Sequence, residues 1–176
     1  ERRVLEQPDE FGRAARREAG LEAMLGAVAE KGYADTRIAD VISEAGISRK
    51  TFYELFDDKE DCFLAAYEQA ADQFLQAATS GFELGGDDTP WMDRVREAFA
   101  AFLAAMVNDP PAARVWTVEV LAAGPRSLEH RDVAIRKLTK FIDAGRAETK
   151  NEIPEIASLA IIGGINELLY TDVLRE

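Results

Sequence analysis

Apolar residues recur every three to four positions along most of the chain, which is the spacing of one face of an α-helix. Leu21, Met24, Leu25 and Val28 form such a stripe, and we expect them to be the buried face of a first helix that runs to about Lys31. No segment shows the sustained alternation of apolar and polar residues that is typical of a strand. The pattern therefore predicts an all-α protein.

Two short helices joined by a tight turn are predicted in the first third of the chain. They span roughly 38–44 and 49–55, and the turn between them contains Gly46. Glycine readily adopts the positive φ that such a sharp turn often needs. This arrangement is typical of a helix-turn-helix motif, and a long helix is expected to follow over about 58–79.

The rest of the chain is predicted to be a helical bundle. Glycines and aspartates make 80–90 the clearest linker, and prolines punctuate the remainder. We expect a helix-turn-helix domain over 1–60, the head, and a helical domain over 61–176, the body. The helices expected within the body span 91–107, 111–123, 127–145 and 155–174.

Composition limits the function classes. The net charge of -12 argues against bulk attraction to nucleic acid, so any DNA affinity must come from a local patch. One cysteine excludes an internal disulfide framework. The sequence has neither a signal segment at its start nor an apolar run of about 20 residues. We therefore expect a cytoplasmic protein that makes no membrane contact.

Catalytic and metal-binding patterns do not emerge from the sequence. The single histidine, His130, has no partners at metal-ligand spacing, and Cys62 lies beside Phe63 on an apolar helix face. There is no phosphate-binding loop and no dinucleotide fingerprint. We expect no enzyme activity, no metal and no cofactor.

Cations follow the expected N-terminal caps of three helices. A cation in the first helical turn is disfavoured by the helix dipole by a few tenths of a kcal/mol. Repeated local exceptions of one kind suggest a functional site, and an external phosphate would reverse the sign of this effect. The expected caps are Thr36, Ser48 and Asp57, and the cations that follow them are Arg37, Arg49, Lys50 and Lys59.

The segment from Leu21 to Phe63 resembles the DNA-binding head of the TetR family. The order and spacing of several short motifs carry the resemblance, which covers about a quarter of the chain strongly. These motifs are Glu30-Lys31-Gly32-Tyr33, Thr36-Arg37-Ile38-Ala39-Asp40-Val41, Ala45-Gly46-Ile47-Ser48-Arg49-Lys50-Thr51-Phe52-Tyr53 and Phe56-Asp57-Asp58-Lys59-Glu60.

The resemblance implies that 49–55 is a recognition helix in the major groove of double-stranded DNA. Its start would face bases or nearby phosphates, a tyrosine hydroxyl would bind a phosphate, and the other helix starts would contact the DNA backbone. The implied DNA-binding residues are Thr36, Arg37, Ser48, Arg49, Lys50, Thr51, Tyr53 and Lys59. Phe52 and Phe56 are expected in the core, and Tyr33 is expected to pack under the head.

The first helix carries basic residues whose role stays open. They would form an arm that reaches phosphate or the minor groove, or a solvated helix face balanced by Glu18 and Glu22. These residues are Arg2, Arg3, Arg13, Arg16 and Arg17.

For the body, the resemblance implies a largely apolar pocket that binds a small apolar or amphipathic effector. Glu119 would point inward towards a ligand or a partner helix, or lie at the surface. Core packing alone would also explain the other candidates. The candidate pocket residues are Phe99, Phe102, Met106, Trp116, Glu119 and Phe141.

The last predicted helix is apolar over 156–169, and small residues interrupt it. Gly163 and Gly164 would let another helix approach closely, although each costs about 1 kcal/mol of helix stability relative to alanine. We expect packing against a second subunit, with 127–145 or residues beyond the sequence as the partner helix. A homodimer would place two recognition helices about 34 Å apart on a palindromic operator.

These observations favour a sequence-specific DNA-binding repressor that a small effector releases. An activator or a ligand-independent DNA binder would share the same head. A helical interaction protein with this fold but without ligand-gated DNA binding is the alternative from another class. The acidic net charge favours it slightly, whereas the cations at the helix starts count against it.

Overall fold

The computed structural model describes residues 7–86, 88–148 and 153–175, and α-helices make up most of these ranges. No strand occurs among them, so the all-α prediction is confirmed. Short 3-10 turns follow α6 at Glu119–Leu121 and α7 at Ala144–Glu148. The helices are α1 (Gln7–Lys31), α2 (Ile38–Ala45), α3 (Arg49–Leu55), α4 (Lys59–Leu84), α5 (Trp91–Asn108), α6 (Pro110–Thr117), α7 (Pro125–Asp143) and α8 (Ile156–Val173).

The head forms around the apolar stripe of α1, which is buried as predicted. This face packs against α2 and α4. Phe52 of α3 and Phe56 just after it are also buried, as expected. Burial of each large side chain contributes about 1.5–3 kcal/mol, so these contacts hold the two short helices against α1.

The structure confirms one predicted cap and corrects two. Ser48 Oγ accepts a hydrogen bond from the Thr51 N–H at 3.0 Å, as expected of an N-cap. Arg37, and not Thr36, occupies the N-cap position of α2. The Thr36 side chain turns inwards instead, because its hydroxyl donates to the Gly32 carbonyl at 2.8 Å.

The predicted cap of α4 was wrong by one residue. The side chain of Asp58, and not of Asp57, accepts the hydrogen bond from the Asp61 N–H, at 2.8 Å. Asp61 in turn accepts from the Asp57 N–H at 3.1 Å. Five consecutive charged residues, 57–61, made the position of the cap ambiguous in the sequence.

The predicted linker over 80–90 was too long, because α4 continues to Leu84. Gly81 lies buried inside this helix, against α5. A Cβ at this position would lie 2.5 Å from the Glu97 carbonyl oxygen, so only glycine allows the two helices to come this close. The glycine that suggested a loop is therefore a helix-packing residue.

Helix α4 starts in the head and runs through the centre of the body, where it packs against α5, α6 and α7. The predicted boundary at residue 60 falls inside its first turn, and the division into 1–60 and 61–176 stays a prediction. A second connection joins the two parts, because α1 packs directly on α6.

Helix α8 packs on α7 and α6 but leaves much of its apolar surface uncovered. Ile156, Ile161 and Leu168 are each about half exposed or more. By length and composition alone, α8 is also the one described helix that passes as a candidate membrane span.

Candidate DNA-binding surface and effector cavity

The predicted helix-turn-helix is present, and Gly46 makes its turn. Gly46 has φ of 65°, in the left-handed region that the sequence suggested. The Ile47 N–H donates to the Ile42 carbonyl at 3.1 Å and closes the end of α2. Phe52 is buried in the core of the head, so the opposite face of α3 points away from the core.

The exposed face of α3 carries the predicted base-reading side chains. Arg49 and Lys50 are exposed at its start, and Tyr53 is 50% exposed one turn later. Lys50 lies 3.6 Å from the Glu54 carboxylate, an exposed pair of the kind that contributes little stability and is easily exchanged for a phosphate. These side chains are accessible to a DNA duplex.

Thr51 and Ser48 share a hydrogen bond at the start of α3. Their hydroxyl oxygens lie 2.9 Å apart, and Ser48 is exposed. Ser48 therefore serves as the cap and still presents an oxygen at the helix N-terminus, where backbone N–H groups favour an anion.

Thr36 does not belong to this surface. Its side chain is 1% exposed and its hydroxyl is bonded within the head, so we remove it from the proposed DNA contacts. Arg37, the next residue, is exposed. Its N–H donates to Asp40 at 2.9 Å, and Asp40 also pairs with Lys31 at 2.9 Å. The Lys31 ammonium holds the pKa of the Asp40 carboxyl below its ordinary value.

Lys59 is held by the loop between α1 and α2. Its Nζ donates to the carbonyls of Tyr33 at 2.9 Å and Thr36 at 3.1 Å, and lies 4.1 Å from the Tyr33 ring centroid. The Tyr33 ring packs edge-on against Phe63 with centroids 4.7 Å apart, which places it under the head as expected. The phosphate contact of Lys59 stays a prediction.

Arg13 is a head residue whose contact the sequence did not reveal. Its Nη2 donates to the Glu54 carbonyl at 3.1 Å, near the end of α3 where backbone carbonyls lack helical partners. Arg13 and Arg16 border a groove between α1 and α3. In the sequence, only the cluster of arginines on α1 indicated that this helix takes part in the DNA-binding surface. Arg2 and Arg3 lie outside the described residues.

A small apolar cavity of about 50 Å³ lies inside the body between α4, α5, α6, α7 and α8. It has room for a few water-sized groups but is far below the several hundred Å³ typical of ligand pockets. Every lining side chain is uncharged, and four of the six predicted pocket residues are among them. The lining residues are Ala78, Val95, Ala98, Phe99, Phe102, Trp116, Leu138, Phe141, Ile162, Ile165, Asn166 and Leu169.

Met106 and Glu119 are not among the cavity-lining residues. Met106 is buried in the core near the end of α5. Glu119 is 6% exposed, but its carboxylate accepts from the Tyr33 N–H at 2.9 Å and so contacts the head. This contact across 86 positions in sequence carries no local signal.

Two buried donors near the cavity have no hydrogen-bond partner in the described structure, Trp116 Nε1 and the Tyr67 hydroxyl. The two rings stack at 5.6 Å between centroids and 6° between planes. Burial raises the pKa of Tyr67, so its hydroxyl stays protonated. Each unpaired buried donor costs free energy of folding.

Comparison with known proteins identifies the head. Residues 21–66 match the family model described as bacterial regulatory proteins, tetR family. No curated protein sequence matches the chain significantly. Among the described residues, no group of acidic, histidine or cysteine side chains is arranged to hold a metal ion.

Solved structures share the fold over nearly the whole chain. The fatty acid degradation regulator FadR of Bacillus halodurans superimposes with a TM-score of 0.79 at 18% identity, over 91% of this chain and 85% of its own. FadR of Bacillus subtilis, solved in complex with stearoyl-CoA, gives 0.77 at 18% identity over 90% and 87%. A TetR family regulator of Marinobacter aquaeolei gives 0.70 at 22% identity over 97% and 86%.

The family match covers the helix-turn-helix, and the likeness in fold extends through the body. The neighbours that share this fold are transcription regulators. The chain therefore carries, over residues 21–66, the helix-turn-helix head of the tetR family of bacterial regulatory proteins, on a body that has the fold of solved transcription regulators.

Proposed function

We propose that this chain is a homodimeric repressor that binds a palindromic operator and is released when an apolar molecule enters the body. One observation carries the proposal. A helix-turn-helix with exposed cations at its reading end is joined, through α4 and the α1–α6 contact, to a body with an uncharged cavity.

The DNA surface is local, which reconciles it with the acidic chain. Arg49 and Lys50 stand on the exposed start of α3, where arginine and lysine pair well with guanine edges in the major groove. Tyr53 and Arg37 are exposed beside them and suit phosphate contacts. The acidic body keeps other surfaces away from DNA by charge repulsion.

The cavity supports an effector with a hydrocarbon portion. An uncharged apolar lining stabilises buried hydrocarbon and excludes an unpaired carboxylate or ammonium group. The stearoyl-CoA bound to FadR of Bacillus subtilis, a structure of the same fold, supports an acyl chain as the class of ligand. Because the cavity measures only about 50 Å³, an acyl chain must widen it on entry.

A second copy of the chain is proposed to cover the exposed face of α8. A Cβ added to Gly163 or Gly164 would meet no atom within 4 Å, so their side of α8 is open to a close neighbour. Two copies joined by α7 and α8 would form a four-helix interface.

Release requires a ligand that prefers one arrangement of the heads. A molecule with equal affinity for the operator-binding and released conformations shifts nothing. Widening of the cavity would supply this difference in affinity. The conformation with displaced body helices accepts the acyl chain of the ligand, and the closed conformation does not. The coupling is then reciprocal, so operator DNA weakens effector binding by the same factor.

The proposal is tested by selecting bound duplexes from a random library with the purified protein, followed by sequencing. We expect a palindromic site with half-sites about one helical turn apart. Release from that site is then measured with stearoyl-CoA, and with free coenzyme A as the matched control. Arg49→Ala should change the recovered half-site, whereas Glu129→Ala, on an exposed part of α7, should not.

A helical interaction protein is the second candidate, and the net charge of -12 favours it. It predicts a folded dimer that retains no preferred sequence from the library at any salt concentration. Recovery of a palindrome that neither stearoyl-CoA nor other acyl chains release would instead favour a ligand-independent DNA binder.

A further inference from the structure

We propose that Glu119 is a positioning residue that couples the cavity to the DNA-binding head by holding the backbone of Tyr33. This inference rests on the proposed function and identifies the contact through which the body acts on the head. Glu119 begins the 3-10 turn after α6, and Tyr33 lies in the loop between α1 and α2. The hydrogen bond from the Tyr33 N–H to Glu119 Oε2 measures 2.9 Å.

The carboxylate is built into the junction and not left at the surface. Glu119 is 6% exposed, and its other oxygen, Oε1, lies 3.3 Å from Arg114 Nε. A Cβ placed on Gly32 would lie 3.5 Å from Oε2, so the carboxylate occupies the space directly beside the end of α1. A buried carboxylate needs such partners, and its loss would leave the Tyr33 N–H unpaired.

Tyr33 is held from both sides. Glu119 accepts from its N–H, while Lys59 donates to its carbonyl at 2.9 Å and lies over its ring. Lys59 is the first residue of α4, next to the helix-turn-helix. One loop residue therefore connects a body side chain to the cation that we expect at a DNA phosphate.

The cavity lies at the other side of the same short segment. Trp116 lines the cavity and precedes Glu119 by three residues, about one turn. Its ring contacts those of Tyr67, Phe74 and Phe102, and these contacts restrict its movement independent of α6. A ligand that displaces Trp116 must displace the end of α6, and with it the carboxylate that holds Tyr33.

The test follows exchange of the Tyr33 amide hydrogen by NMR in the full-length protein without DNA or ligand. In Glu119→Ala we expect exchange at Tyr33 at least about tenfold faster than in the wild type. Glu119→Gln keeps an acceptor oxygen and should restore part of the protection. Glu129→Ala, which removes an exposed carboxylate from α7, is the matched control.

The cavity is then filled without a ligand by Ala98→Leu, with Ala98→Val as the smaller alternative should the first disturb folding. Ala98 lines the cavity and is 3% exposed. Filling it should accelerate Tyr33 exchange when Glu119 is present and add nothing in Glu119→Ala. Unchanged protection of Tyr33 in both filled and folded variants would overturn the proposal.

DNA binding separates this result from the proposed function. On the selected operator, Ala98→Leu should weaken binding. The ratio of the affinity without this substitution to the affinity with it should be about tenfold smaller when Glu119 is also replaced by alanine. Absence of any preferred operator would contradict the repressor function, while the exchange data would still decide whether Glu119 transmits the state of the cavity. An unchanged ratio in Glu119→Ala would overturn the role of Glu119.

Discussion

Lys59 and Tyr33 are joined both through the backbone and through the ring. Lys59 Nζ donates to the Tyr33 carbonyl at 2.9 Å and sits 4.1 Å from the centroid of its ring. Lys59 is half-buried, and its two hydrogen bonds to loop carbonyls position the ammonium before any DNA binds. A cation ordered in advance loses less side-chain entropy when it binds a phosphate.

This relationship predicts two separable effects of Lys59→Ala. Loss of a charged donor to two carbonyls should lower the free energy of unfolding by about 1–2 kcal/mol. If Lys59 also reaches a phosphate, the slope of log affinity against log salt should fall by about 1. Chemical denaturation and salt titrations of operator binding measure both. An unchanged salt slope would show that Lys59 serves the loop alone.

Changes at Tyr53 and Arg49 should differ in kind. Tyr53→Phe removes only a hydroxyl from a half-exposed ring, so operator and variant sites should lose affinity nearly equally. Arg49→Ala should lose about 1–3 kcal/mol at particular base pairs and relax preference there. Binding to a panel of single-base operator variants distinguishes them. A loss at one base pair only in Tyr53→Phe would contradict the phosphate assignment.

Gly81→Ala should destabilise the protein, although alanine is the better helix former. The added Cβ would lie 2.5 Å from the Glu97 carbonyl oxygen and 2.9 Å from Ala101 Cβ. Helix propensity alone would favour alanine by about 1 kcal/mol, whereas overpacking costs about 1–3 kcal/mol. We expect a net loss in thermal or chemical unfolding. Gly12→Ala, whose nearest contact is a flexible arginine at 3.4 Å, is the control and should not destabilise.

Gly164→Leu should weaken the dimer without unfolding the protomer. Beyond its chain neighbours and the nearby backbone of α8, no described atom of the protomer lies within 4 Å of a Cβ at this position, so the isolated protomer has room for a side chain here. It would hold a second helix away from α8. Sedimentation should therefore show a raised dissociation constant with helical content preserved. Leu84→Ala, at an exposed position outside this face, is the control. Unaltered dimerisation would place the interface elsewhere.

Acid should loosen the attachment of α8 through Asp143. The Ser158 hydroxyl and the Arg146 guanidinium hold the pKa of the Asp143 carboxyl below its ordinary value. The folded-state pKa is therefore lower than the unfolded one. The resulting stability is present above the unfolded pKa, about 3.9, and is lost as pH falls through the folded value.

Asp143→Asn should remove this acid dependence and lower stability at neutral pH. Arg146 also donates to the Ile153 carbonyl at 2.6 Å, so it ties the segment before α8 to α7. Unfolding measured between pH 7 and pH 3 checks the expectation. Asp132→Asn, at an exposed position on the same helix, should keep the wild-type profile. An identical profile for both variants would show that the contacts of Asp143 with Ser158 and Arg146 do not contribute to the acid dependence of stability.

The sequence alone determined most features that depend on near neighbours. The stripe of α1, the turn at Gly46 and the cap at Ser48 follow from residues within a few positions of one another. Helical periodicity and capping depend on residues within one or two turns, so these elements can be predicted from the sequence. The same holds for the motif that identifies the head.

Only the tertiary structure decided what residues far apart in sequence do together. Glycine is typical of a linker, but Gly81 allows α4 to pack closely on α5. Threonine is typical of an N-cap, but the hydroxyl of Thr36 donates a hydrogen bond inside the head. Glu119, predicted at a pocket or a surface, meets Tyr33 across 86 positions. Such contacts depend on how helices cross and how closely they approach, and the packing that sets both is a property of the whole fold.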